Sequence, residues 1–261
     1  MNLKTLYGLM LLVSGCASSQ RPAASIAQAP ASAAAAVPAV APSAQVNLFD
    51  SARQRVVPVA LYQPRRGGRK MPWKAAILSP GYGGRHTAYS FIAQNLVAHG
   101  YFVVSIQHEL PTDEPIPTTG IPRVVRRPHW ERGVQNILFV RRTLQKQYPG
   151  VDFEQLLLVG HSNGGDTAML FAEEHLALVQ RIISLDNRRM PLPRARRPQV
   201  LSLRSSDQVA DASVLPTAAE QQQWGSTIVK LPNTLHNDMW DGATATQKEE
   251  MNKLISRFLE Q

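Results

Sequence analysis

The stretch "QLLLVGHSNGGDTAMLFAEEH", residues 155–175, carries an apolar run straight into a serine set among glycines. Small residues there suit a tight turn; they also suit a nucleophile held up at the tip of a sheet. Gly160-His161-Ser162-Asn163-Gly164 fits Gly-x-Ser-x-Gly in the context that pattern needs, a strand, a sharp turn and a helix. In that arrangement a side chain at either flanking glycine would strike the neighbouring backbone. The helix opening at Asn163 would turn its positive dipole end toward the place where an oxyanion forms.

Outward from this stretch, strands and helices alternate. "QRVVPVALYQP" (54–64) alternates apolar residues and reads as an early antiparallel strand. "KAAILS" (74–79) is a short apolar run that ends in Pro80-Gly81. A helix over 87–100 stops at Gly100, a strand follows over 101–108, and a proline-rich loop runs from Leu110 to Pro128. The stretch 129–147 is amphipathic with helical spacing, 153–160 is a strand and 163–179 a helix. Strands at 181–186, 198–206 and 226–232 and a closing helix from 246 complete the domain. Strands that are apolar without alternation, separated by helices, predict an α/β fold with a mostly parallel sheet covered on both faces. Chemistry in such sheets sits at the carboxyl ends of the strands, and Ser162 ends its strand.

A serine hydroxyl needs a base to take its proton, and the chain order expected here is Ser, acid, His. His175 lies in the helix after the nucleophile, about three to four turns away, and cannot reach back. His236, in the loop after the last strand, is the predicted base. The acid is open. Asp207 follows the penultimate strand, Asp186 the strand before it, and Asp211 lies further into a loop. Backbone amides of Asn163 and of Tyr82, in the turn "SPGYGG", are the predicted oxyanion donors.

The N-terminus reads as an export segment. One lysine precedes the apolar run Leu6–Val13, which is too short to cross a bilayer, and small residues lead to Cys16. "LLVSGC" resembles the lipobox of bacterial lipoproteins, which implies a signal peptide over 1–15 and lipidation at Cys16. Ala17, where an Asp would retain the anchor, resembles the outer-membrane sorting pattern, so the expected location is the cell envelope, facing the periplasm. Residues 16–46, rich in Ala, Pro and Ser, read as a tether of roughly 30 Å, and the folded domain is expected over 47–261. Cys16 is the single cysteine, so no intramolecular disulfide supports the fold. The formal net charge is +9, with arginines clustered near residues 65–69, 123–127 and 188–197. No nucleic-acid motif accompanies them, and an exported protein meets anionic lipid headgroups or cell-wall polymers instead.

The residues 160–164, the stretch "SPGYGGRHTAYSFIAQNLVAHGYFVVSIQH" and the late His236 together resemble the α/β-hydrolase fold. Within it the chain is similar to the branch of platelet-activating-factor acetylhydrolases, dienelactone hydrolases and cutinase-like polyester hydrolases. The resemblance implies a serine esterase with no metal and no organic cofactor, acting on a small-molecule or lipid-like ester. Cutinase-like members imply Asp207 as the acid; "LDNRRMPL" matches the acetylhydrolase context and implies Asp186. Asp207 is preferred because that position serves the larger part of the fold. Lids are usually inserted near residues 186–198, which are few and basic here, so the site is expected to be open and suited to short-chain or surface-presented esters. Arg188 and Arg189 beside it are expected to meet an anionic group. The alternatives are an inactive, lipid-anchored binding protein on the same fold, or an exported amidase or peptidase.

Overall fold

The computed structural model describes residues 41–64 and 72–261. The chain divides into two units, Met1–Ala33 and Ala34–Gln261. The first unit, with the export segment and Cys16, lies outside the described residues, as do Arg65, Arg66 and Arg69.

One eight-stranded sheet organises the second unit, in the order β1-β2-β4-β3-β5-β6-β7-β8. β1 (Ala44–Asp50) and β2 (Arg55–Tyr62) form an antiparallel hairpin at one edge, and β2 joins β4 (Tyr101–Ile106) antiparallel. From β4 onward every pairing is parallel, through β3 (Trp73–Ser79), β5 (Val151–His161), β6 (Val179–Leu185), β7 (Gln199–Arg204) and β8 (Thr227–Lys230).

Apolar runs without alternation follow from burial on both faces. Along β3, Ala75 and Ile77 enter one core layer while Ala76 and Leu78 enter the other; along β5, Leu156 and Leu158 oppose Leu157 and Val159. The first layer is closed by α3 (Arg127–Gln147) and α4 (Asn163–Glu174), and α3 contributes Trp130, Val134, Ile137, Val140 and Leu144 at helical spacing. The second is closed by α1 (Ser90–Ala98) and α6 (Ala245–Leu259), which contribute Ile92, Leu96, Met251, Ile255 and Phe258. No helix among the described residues is long and apolar enough to cross a membrane.

Three expectations are corrected. Strand β1 begins at Ala44, inside the segment read as tether, because its pairing with β2 is a tertiary contact with little local signature. α2 (Pro122–Val125) interrupts the proline-rich loop, and α5 (Ala218–Trp224) precedes β8. α5 buries none of its residues, but its signals are legible: Thr217 and Glu220 form a capping box and Gly225 ends it in a left-handed conformation. α4 stops at Glu174, short of the expected 179, since Val179 already begins β6.

Candidate active site

The turn between β5 and α4 is built by contact. A Cβ on Gly160 would lie 2.4 Å from the Gly164 carbonyl oxygen, and one on Gly164 would lie 2.2 Å from the Ser79 carbonyl oxygen. Only glycine permits α4 to start so close to β3 and β5. Ser162 itself sits at φ 50°, ψ −117°, a conformation that costs a non-glycine residue about 1–3 kcal/mol and persists where the surroundings impose it.

Ser162 Oγ lies 2.9 Å from His236 Nε2, and His236 Nδ1 lies 2.6 Å from Asp186 Oδ2. A carboxylate only accepts, so Nδ1 carries the proton, and Nε2 is left to accept from the serine hydroxyl. The preference for Asp207 is thereby corrected. Asp207 Oδ1 instead accepts the His236 backbone N–H at 2.7 Å and so anchors the loop that carries the imidazole. Asp211 pairs with Arg189. His175, expected to be out of reach, packs against Phe171 with ring centroids 5.0 Å apart.

The reason lies at the ends of neighbouring strands. β6 lies beside β5, and Asp186 follows it directly, fully buried and itself left-handed at φ 56°. Arg204, the last residue of β7, is also buried and meets Asp186 Oδ1 at 2.8 Å, while Ser205 Oγ donates to Oδ2 at 2.7 Å. A buried guanidinium demands a buried acid, and Asp186 answers it. Burial alone would raise the Asp186 carboxyl. The His236 hydrogen bond, the Arg204 charge and Ser205 outweigh it and hold the group below the usual carboxylate range. Arg204, a charge at the end of an apolar strand, is a feature of the sequence that calls for a buried acid without saying which one. Asp166, in the first turn of α4, braces the segment after Asp186 by accepting from the amides of Arg189 and Met190, each at 2.9 Å.

A second chain of hydrogen bonds runs beneath. The Gly81 N–H donates to Tyr89 Oη at 3.0 Å, Tyr89 Oη lies 2.7 Å from His161 Nδ1, and His161 Nε2 lies 3.0 Å from the His236 carbonyl oxygen. The carbonyl only accepts, so Nε2 bears the proton and Nδ1 receives the tyrosine hydroxyl. Burial drives His161 down to about 3, consistent with this neutral ring. Residues of three segments, the Gly81 turn, the turn before α4 and the His236 loop, are thus joined by one wire. Replacing Tyr89 by Phe leaves a buried N–H and a ring nitrogen unpaired. On the mechanism proposed below, kcat should fall about tenfold with KM little changed; an unaltered kcat would remove Tyr89 from any positioning role.

The amide of Asn163 opens α4, where no intrahelical acceptor exists for it. Its side chain is held from both sides, by Trp130 Nε1 at 2.7 Å and Glu109 Oε1 at 3.0 Å. Burial pushes the Glu109 carboxyl up to about 7. Because Gly81 donates to Tyr89, Tyr82 is the next amide along the β3 turn. The Tyr82 ring stands over the cleft, its hydroxyl accepting from the Ile116 amide at 3.0 Å.

Above these groups lies a cleft of about 570 Å³ whose lining includes Tyr82, Arg85, Ser162, Arg188, His236 and Trp240. Arg188 faces it, braced by Gln208; Arg189 is turned to Asp211. The connection from β6 to β7 holds no helix, so it contributes no lid. Among the described residues no cluster of His, Cys, Asp and Glu is grouped to hold a metal ion.

No protein-family model and no curated protein sequence matches this chain. Solved structures do. A dienelactone hydrolase-like promiscuous phosphotriesterase from metagenomic libraries superposes with a TM-score of 0.60 at 17% identity, over 83% of this chain and 96% of that one. The ferulic acid esterase of Streptomyces cinnamoneus gives 0.58 at 16% identity, over 85% and 92%. An α/β serine hydrolase without a lid from Xanthomonas campestris gives 0.52 at 18% identity, over 83% and 95%. With the eight-stranded sheet and its flanking helices, these likenesses define the class: the chain has the α/β-hydrolase fold.

Proposed function

We propose that the protein is a serine hydrolase of carboxylic esters. One observation carries this reading: Asp186, His236 and a strained Ser162 are hydrogen-bonded in line at the floor of an open cleft. Ser162 Oγ attacks the ester carbonyl while His236 Nε2 takes its proton. Asp186 holds the ring in the accepting tautomer and stabilises the imidazolium. The amides of Tyr82 and Asn163 receive the oxyanion, aided by the α4 dipole, each donor contributing about 10²–10³-fold. The imidazolium then protonates the leaving alcohol, and a water activated by His236 releases the acid from the acyl-enzyme. That esterases stand among the similar structures supports an ester rather than an amide as the substrate.

A fluorophosphonate should add once to the protein, at Ser162, and intact mass would detect it. Ser162→Ala should take no adduct and lose about 10⁶-fold in turnover of p-nitrophenyl esters. A folded wild-type protein that takes no adduct would end this reading in favour of a binding protein.

Export to the cell envelope and anchoring through Cys16 belong to the same proposal and rest on the lipobox-like "LLVSGC". Cells fed a labelled fatty acid should transfer label to the protein, and Cys16→Ala should abolish the transfer; label retained in that variant would refute the anchor.

A further inference from the structure

Ten large apolar side chains are exposed among the described residues, and their distribution is uneven. Six of them, Tyr82, Ile121, Val124, Val209, Leu235 and Trp240, stand on loops that follow β3, β4, β7 and β8. Those strands are parallel, so all six project from one edge of the sheet, the edge on which the Ser162 cleft opens. Val209 is 85% exposed, Ile121 70% and Val124 66%, the three most exposed of the ten. Among the described residues, the opposite edge, where chain enters the strands, carries Leu176 alone, and the other three lie on the β1–β2 hairpin.

Cations share this edge. Arg85 and Arg188 line the cleft, Arg123 lies in α2 between Ile121 and Val124, and Arg126 is lowered first by its burial and then by the nearby charges of Arg189 and Arg188. Most acids there are already engaged. Asp113 binds Arg55, Asp211 binds Arg189, Asp207 accepts from the His236 amide, and Asp238 and Asp241 accept from the amides of Leu235 and Ser90. Half-buried Glu109 is held by Asn163, and Glu114 is exposed.

Apolar tips on separate loops, interleaved with arginines and including a Tyr and a Trp, do not form the continuous dry patch of a protein–protein core. They match a headgroup layer, in which guanidinium groups meet phosphates, aromatic rings sit at the boundary and aliphatic tips reach the acyl chains. We infer that this edge docks on an anionic lipid surface, and that the cleft draws its ester from that surface. The second half rests on the esterase reading above.

Flotation with phosphatidylcholine vesicles, with and without phosphatidylglycerol, tests the docking on the chain from Ala17 onward, which retains every described residue and lacks Cys16. The protein should float with the anionic vesicles and much less with the neutral ones. Arg123→Ser should weaken that binding about fivefold, and Ile121→Asp combined with Val124→Asp about tenfold or more. Phe49→Asp, exposed on the β1–β2 hairpin, should leave it unchanged. Circular dichroism would establish that each variant is folded. Equal flotation of the rim variants and the parent, or no preference for anionic vesicles, would overturn the docking. In the Ile121/Val124 variant, hydrolysis of soluble p-nitrophenyl acetate should persist while hydrolysis of an ester dispersed in anionic vesicles falls. Flotation as expected, with no ester turnover by the parent, would overturn the esterase reading and the second half of the inference alone.

Discussion

Asp186→Asn should lower kcat about 10⁴-fold on p-nitrophenyl esters, and Asp207→Asn less than about tenfold. The asymmetry follows from what each carboxylate touches. Asp186 accepts from His236 Nδ1; an amide nitrogen at that position favours the other tautomer, whose Nε2–H no longer receives the serine proton. Asp207 accepts from a backbone N–H, which an Asn side-chain oxygen replaces. Asp186→Asn has a second consequence, since it leaves the Arg204 guanidinium buried without its charge partner. Such an orphan costs about 3–5 kcal/mol. Pairing it with Arg204→Gln should recover stability in urea titrations without recovering turnover, which separates the two roles of the carboxylate. Near wild-type kcat in a folded Asp186→Asn protein would exclude Asp186 as the acid.

Gly164→Ala should be the most destabilising single-methyl change at the site. Its Cβ would lie 2.2 Å from the Ser79 carbonyl oxygen and 2.3 Å from that of Pro80, backbone atoms that cannot swing away. To make room, α4 must lift from the end of β3, at a cost of about 3 kcal/mol or more. For a domain of this size that corresponds to a fall in Tm of about 6–12 °C. Gly83→Ala is the contrast. Gly83 has φ +70° and nothing within 4 Å of an added Cβ, so the cost is only the backbone strain of about 1 kcal/mol. Thermal melts of the two variants side by side would decide the matter; equal Tm values would refute the close-approach account. The same displacement would move the turn that presents the Tyr82 amide, so the folded fraction of Gly164→Ala should also be slow.

Much of this molecule can be read from contiguous residues. The strand–Ser162–helix unit is legible because steric demands act over a few positions: Gly160 and Gly164 fall where the backbones cross. The parallel sheet is legible because double-sided burial leaves apolar runs in β3 to β7. His236 follows from chain order, as His175 sits at the end of α4, too far from the serine.

Which carboxylate meets His236, by contrast, was decided by tertiary structure. Asp186 and Asp207 both follow strands, and nothing in their local sequence says which side chain is aimed at the imidazole. Arg204 and Ser205 from the neighbouring strand end bring Asp186 into the interior, while Asp207 is left to the backbone. The same holds for the Gly81–Tyr89–His161–His236 wire, whose members are up to 155 positions apart, and for the gathering of Ile121, Val209 and Trp240 on one edge. Periodicity and steric rules are local and are written in the chain. Hydrogen-bond partners within a few tenths of an ångström depend on how distant strand ends pack, and only the folded sheet brings those ends together.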